Sequence, residues 1–176
     1  MHVDRVVVGV SGSPGSLQAL RYATEFARRH EAVLAPVLAW TPPGGELADR
    51  RYPSPELRAV WKQAAWDRLW KAIDLGIGGP PADVTFRPEV VQDAPGMALS
   101  AFAHELGDVL IIGAGRHSAL RRILSCRVGR YCMAHATCPV IAVPPLELTT
   151  EPHGLRGRRD RHRLHPEHAG LHSAGA

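Results

Sequence analysis

Asp108–Pro145 reads DVLIIGAGRHSALRRILSCRVGRYCMAHATCPVIAVPP. Its apolar run Val109–Ile112 stops at Gly113-Ala114-Gly115, the pattern of a buried strand that ends in a tight turn. A polar, arginine-rich loop follows. Leu124, Val128, Tyr131, Cys132 and His135 then recur at i, i+4, i+7, i+8 and i+11, which is one face of a helix. Cys138-Pro139 ends that helix, and Val140–Val143 reads as a second short buried strand closed by Pro144-Pro145. Strand, glycine turn, helix and strand make a β-α-β unit whose hinge suits an anion. Gly113–Leu146 contains no Asp or Glu, yet it carries Arg116, Arg121, Arg122, Arg127 and Arg130.

Working outward, the amino-terminal run Arg5–Val10 is β-branched, as a strand buried on both faces requires. It breaks at Ser11–Ser16, and Leu17, Leu20, Ala23 and Ala27 give a helical stripe closed by Arg28-Arg29-His30, cations suited to a helix C-terminus. Val33–Trp40 is a second apolar strand. Thr41–Pro55, rich in Pro and Gly, reads as a long irregular connection of the kind that borders sites. Leu57, Trp61, Ala65, Leu69 and Ile73 mark the next helix, with Trp66 and Trp70 beside the stripe as core or subunit contacts. Asp83–Val91 alternates loosely as a third, less buried strand. Asp93 is placed to cap a helix with Leu99, Phe102, Ala103 and Leu106 on its inner face, closed by Gly107. This β-α alternation implies an α/β fold, Rossmann-like, with a five-stranded parallel sheet and helices on both faces.

The domain is expected over residues 1–148. Thr149–Ala176 has almost no large apolar residues, five arginines and five histidines, so a disordered tail is expected there. A length of 176 residues allows one domain with a real core. The net charge of +4 is too weak to argue for nucleic acid. No apolar run approaches membrane-spanning length, and no secretory signal is visible. Cys126, Cys132 and Cys138 lie six residues apart, which fits neither a zinc pattern nor a disulfide framework and points to a reduced, cytoplasmic compartment. The irregular spacing of the tail histidines argues against a metal site.

Ligands of open α/β sheets bind beyond the carboxyl ends of the strands, so Ser11–Ser16 and Gly113–Arg127 are the turns to test. A nucleophile elbow fails because Gly9-Val10-Ser11-Gly12-Ser13 lacks the last glycine. A dinucleotide fingerprint fails because Gly113-Ala114-Gly115 opens the last unit rather than the first. Ser11–Ser16 faintly resembles the S-G-G-x-D-S loop of adenylating enzymes, with Gly15 in place of the acid. A serine- and glycine-rich turn that caps the first helix accounts for the same residues.

Three motifs in order carry a broader resemblance: V-V-V-G-V-S-G-S before a helix, Leu38-Ala39-Trp40-Thr41-Pro42-Pro43 at the second strand, and I-I-G-x-G with a closing C-P-V-I-A-V. Over Arg5–Pro144 the chain resembles a single-domain universal stress protein. The resemblance implies strand order 3-2-1-4-5, a nucleotide cleft between strands 1 and 4, and a homodimer through the strand at 139–143. Carried onto this sequence, the cofactor-binding positions fall on Gly9, Ser11, Ala39, Gly113, Gly115, Arg116, Cys126, Arg127 and Val128. ATP-binding members carry an Asp after the first strand and G-x-x-G-(x)9-G-[ST] after the fourth. Here the Asp position is Ser11, Gly113 is kept, the second glycine falls on Arg116 beside Gly115, and the final pair is Cys126-Arg127. Those glycines admit phosphate to backbone N–H groups, and side chains in their place block it. The expectation is therefore a non-catalytic domain of the stress-response type, with a degraded cleft and no cofactor. Its alternative is an ATP-binding sensor that uses the Gly113–Arg127 loop.

Overall fold

Residues 2–114 and 127–144 are described in the computed structural model of the chain, and they fall within one compact unit, Met1–Leu146. Five strands build one sheet: β1 Arg5–Gly9, β2 Val33–Trp40, β3 Glu89–Gln92, β4 Asp108–Gly113 and β5 Val140–Val143. Their order is β3-β2-β1-β4-β5 and every pairing is parallel. This is the order that the resemblance implied.

The alternation of side chains along β1 divides the core. Val6 and Val8 face α1 (Pro14–His30) and α3 (Pro55–Ile77), where Leu20, Ala23, Leu69 and Ile73 are buried with them. Val7 faces the other way, into a cluster with Ala35, Val37, Leu99, Leu110 and Cys132 beneath α4 (Pro95–Phe102) and α5 (Arg127–His135). Both faces are thus covered, which is why the strands read as continuous apolar runs.

Local chemistry sets the helix ends. Ser13 caps α1 and Ser54 caps α3, each followed by proline at the first helical position. Glu31 and Gly78 close these helices in the left-handed conformation. On α3 the stripe Ala65, Leu69 and Ile73 is buried, and Trp61 and Trp66 pack against the same core. Leu57 is half exposed, and Trp70, 43 % exposed, stacks on Trp66 at a centroid distance of 6.5 Å.

Four sequence expectations need correction. The connection 41–55 contains a short helix, α2 (Gly45–Arg51), whose buried Asp49 accepts from Arg58 at 2.8 and 3.0 Å. The third strand is shorter than Asp83–Val91, because Pro88 has no N–H and only an isolated bridge at Phe86 precedes it. Asp93 does not cap α4: Ala94 holds the cap position, and the Asp93 carboxylate accepts from the adjacent Ala94 N–H. Leu106 is 99 % exposed rather than on an inner face, since α4 ends at Phe102 and the chain turns back through Gly107, whose carbonyl accepts from Asp4 and Arg5.

The two sheet edges differ. On β3 the odd-numbered amides Arg87 and Asp93 donate to β2, so positions 88, 90 and 92 face outward. Pro88 has no amide hydrogen, and the Val90 N–H donates to the Glu89 carboxylate at 3.1 Å. β5 forms the other edge, with Val140, Ile141 and Ala142 half-buried. Among the described residues no helix is long and apolar enough to cross a membrane. Leu124 and the tail beyond Leu148 lie outside the described residues.

Candidate functional site

Strand order reverses between β1 and β4, so the crevice at their carboxyl ends is the switch point of the sheet. β1 ends at Gly9, and the chain passes through Val10, Ser11 and Gly12 (φ 79°) to the α1 cap. β4 ends at Gly113 against the first turn of that helix. A Cβ on Gly113 would stand 2.5 Å from the carbonyl carbon and oxygen of Gly15 and 2.9 Å from the Ser16 nitrogen. Backbone meets backbone there, and only glycine allows it. At Gly9 a Cβ would lie 2.7 Å from a Leu99 methyl group, so this glycine admits α4.

These close approaches border a cavity of about 330 Å³. The β1 turn and α1 supply Gly9, Val10, Ser11, Ser13, Gly15 and Ser16. Val37 and Ala39 come from β2, Pro95 and Leu99 from α4. Ile112, Gly113 and Ala114 come from the end of β4, Val128 and Gly129 from the first turn of α5. The serines form one connected group. Ser16 N–H donates to Ser13 Oγ at 3.3 Å, and Ser16 O–H donates to the Ser13 carbonyl at 2.9 Å. Ser11 N–H donates to Ser16 Oγ at 3.2 Å, while its hydroxyl lies 3.1 Å from Ser13 Oγ and 3.3 Å from Ser16 Oγ. None of the described residues lining the cavity has a charged or titratable side chain of the general acid–base kind.

Of the positions read from the sequence, Gly9, Ser11, Ala39, Gly113 and Val128 line this cavity. Arg127 begins α5 with its side chain exposed and is not in the described wall. Gly115, Arg116 and Cys126 lie outside the described residues, as do Arg121 and Arg122. Sequence reasoning assigned Leu99 and Ile112 to the core and did not place them, Val37, Pro95 or Gly129 at the site. They are apolar or glycine and meet only through the fold, so no local signal marked them; Ser13 and Ser16 were within the serine turn already flagged.

The opposite end of the sheet has a second depression, of about 380 Å³, lined in part by Asp4, Arg5, Arg87, Glu89, Phe102 and Glu105. Arg5 donates through Nε and a terminal nitrogen to both Asp108 oxygens at 2.8 Å, and to the Phe102 carbonyl at 3.1 Å. Its guanidinium carbon sits 5.1 Å from the Phe102 ring centroid, and Glu105 adds an ion pair at 3.2 Å. Hydrogen bonding to Asp108 holds Arg5 above its ordinary pKa. Burial pushes the Cys138 thiol up, away from reactive thiolate character. Among the described residues no cluster of His, Cys, Asp and Glu is placed to hold a metal ion.

The Universal stress protein family profile matches residues 2–144. Universal stress protein UspA from Lactobacillus plantarum is 20 % identical, with 81 % of this chain and 99 % of that chain covered and a TM-score of 0.56. A universal stress protein from Archaeoglobus fulgidus in complex with dAMP is 19 % identical, with coverage of 81 % and 99 % and a TM-score of 0.53. A universal stress protein in complex with cAMP is 24 % identical, with coverage of 82 % and 99 % and a TM-score of 0.52. At these identities the likeness to the three structures establishes the fold. No match to a curated protein was found.

Proposed function

The chain belongs to the universal stress protein family, and on that premise we propose that it is a non-catalytic stress-response domain. It acts in the cytoplasm through self-association and protein contacts, and its switch-point cavity no longer serves as a triphosphate cradle. One observation carries this reading: the described wall of the cavity has no charged side chain. A triphosphate brings several negative charges, and leaving water without paired cations is costly. A reaction at the same place lacks a general acid or base in that wall. Where ATP-binding relatives carry a carboxylate, Ser11 stands in hydrogen-bonding distance of Ser13 and Ser16.

Calorimetric titration of the full chain with ATP tests the reading. No saturable heat is expected, and micromolar binding, about 8 kcal/mol of association free energy, overturns it. Restoring Ser11→Asp, Arg116→Gly, Cys126→Gly and Arg127→Ser together is expected to create ATP affinity. One substitution alone should do little, since a cradle with one blocked wall still excludes the phosphates.

The second reading is a nucleotide sensor. It is favoured by the open cavity between Gly9 and Gly113, and by the two solved relatives that hold dAMP and cAMP. Titration with AMP and cAMP addresses it directly.

We assign self-association to β5, where among the described residues no strand amide donates to a side chain, whereas the Val90 N–H of β3 donates to Glu89. Pairing there across a two-fold axis gives an isologous dimer. Ile141→Lys is then expected to yield monomers in light scattering. An unaltered chain that already scatters as a monomer removes the dimer from the proposal. The fold-bearing unit of this proposal is residues 1–148, with 149–176 as its appended tail.

A further inference from the structure

Helix α2 is packed inside out. Among its described side chains only Asp49 is buried, at 7 % exposed, while Leu47 stands 83 % in water. Carboxylates are seldom buried unless paired, and leucine is ordinarily the residue that goes inside. What keeps Asp49 there is Arg58, whose Nε lies 3.0 and 2.8 Å from the two carboxylate oxygens and whose terminal nitrogen lies 2.7 Å from one of them. Arg58 precedes Ala65 by seven residues, so it stands on the face of α3 that turns Ala65, Leu69 and Ile73 to the core. No described residue of α3 before Ala65 is buried, so the pair lies beyond the part of α3 that covers the sheet. Both ends of α2 are built to turn. Gly44 and Gly45 are left-handed, at φ 85° and 80°, and Tyr52-Pro53-Ser54 separates α2 from α3. The glycine pair follows β2, whose Val37 and Ala39 line the switch-point cavity.

We infer that α2 is a strap latched open by the Asp49–Arg58 pair, and that on release it turns about Gly44-Gly45 to lay Leu47 over the switch-point cavity. Leu47 lacks cover where it stands, and at the same end of the sheet Val37, Leu99, Ile112 and Val128 present aliphatic surface. Bringing the two together removes apolar area from water. Reach suffices, since the seven residues from Trp40 to Leu47 span up to roughly 20 Å of extended chain, and the cavity holds about 330 Å³. A short element between two hinges, held by one ion pair and carrying an uncovered apolar residue, has the parts of a closing lid. The inference is independent of which ligand the cavity takes.

The experiment follows alkylation of an Ala39→Cys thiol by iodoacetamide in the full-length protein. Mass spectrometry reads each peptide separately, so that Cys126, Cys132 and Cys138 do not interfere. With the latch intact the thiol at position 39 is expected to react, because the cavity is open. Two further substitutions release the strap from opposite sides. Asp49→Asn removes the charge that binds Arg58, and Arg58→Gln leaves a buried carboxylate without its cation, which drives it toward water. Either is expected to slow the labelling about tenfold, as a closed state favoured about ten to one requires. Adding Leu47→Asp to either should restore the original rate, since an aspartate gains nothing on an aliphatic wall. Melting curves show which variants are folded, and one folded latch variant is enough to decide. An unchanged or faster rate after release, as from a helix that only frays or folds onto Leu57 and Val60, overturns the inference. Slowing that Leu47→Asp does not reverse overturns it, and so does a thiol at position 39 that is already unreactive with the latch intact.

Discussion

At the amino end of the sheet, Arg5 is gripped by both oxygens of a buried Asp108, by Glu105 and by the Phe102 carbonyl and ring. At the carboxyl end, glycine backbone and three serines border an open cavity whose described wall carries no charge. The same parallel strands end in both places. The difference lies in what terminates them: charged residues bonded to one another on one side, residues with small or absent side chains on the other. At the amino end Arg5 and Asp108 direct their bonds to each other, to Glu105 and to the Phe102 carbonyl, so this group contributes to the fold. Small residues leave space at the carboxyl end, so that end is available to a ligand.

The sharpest way to break this contrast is Asp108→Ala. Its side chain is 1 % exposed and also accepts from the Glu105 N–H, so its loss strands Arg5 and a backbone donor. Removing one partner of a buried ion pair costs about 3–5 kcal/mol, and a drop of that size is expected in urea unfolding, with ligand behaviour at the far end unchanged in the folded fraction. A loss within experimental error would mean that the amino end does not hold the fold. Gly113→Ala is next. Its Cβ meets the Gly15 backbone rather than a movable side chain, so the end of β4 or the start of α1 must shift. Overpacking of this kind costs about 1–3 kcal/mol. Unlike Asp108→Ala, it should also alter the cavity, and it weakens the contrast if it changes stability alone.

The smallest effect sharpens the comparison within the amino end itself. Arg28, at the last turn of α1, pairs with Asp83 and Glu25 on the surface. The hydrogen bond from Arg28 lowers the Asp83 pKa below its ordinary value of 3.8. A lowered folded pKa contributes stability above the unfolded value, and that contribution is lost as pH falls through the folded one. Asp83→Asn should therefore lower the melting temperature slightly at neutral pH, and the gap from the unaltered protein should close in strong acid. A gap that is constant with pH would assign the effect to packing. Exposed pairs contribute little in water, so the change should be far below that at Asp108.

Much of the fold was legible because parallel strands covered on both faces must be apolar throughout. Val6–Val8, Val33–Trp40 and Val109–Ile112 announce themselves in that way. The stripe of α3 was legible from its spacing, apart from Leu57 at its exposed start. α2 was not, since Pro42, Pro43, Gly44 and Gly45 disguise a seven-residue helix whose buried Asp49 pairs with Arg58 of the next helix. The site was half legible. Ser11 and Gly113 stand at turns that composition marks, whereas Val37 and Leu99 reach the cavity only through packing. The sequence reading also gave Gly113 one role, access for phosphate. Its contact with Gly15 shows a second that is independent of any ligand.

The unequal edges of the sheet bear on how far association can proceed. At β3, Pro88 just before the strand has no N–H and the Val90 N–H is taken by the Glu89 carboxylate, so an incoming strand finds neither donor. If the proposed pair forms along β5, the border left outside in each copy is β3. Further strand addition to that pair would meet the missing and occupied amides at Pro88 and Val90. On the proposed pairing, a bare strand would serve recognition while the edge left over is a poor template for a fibre.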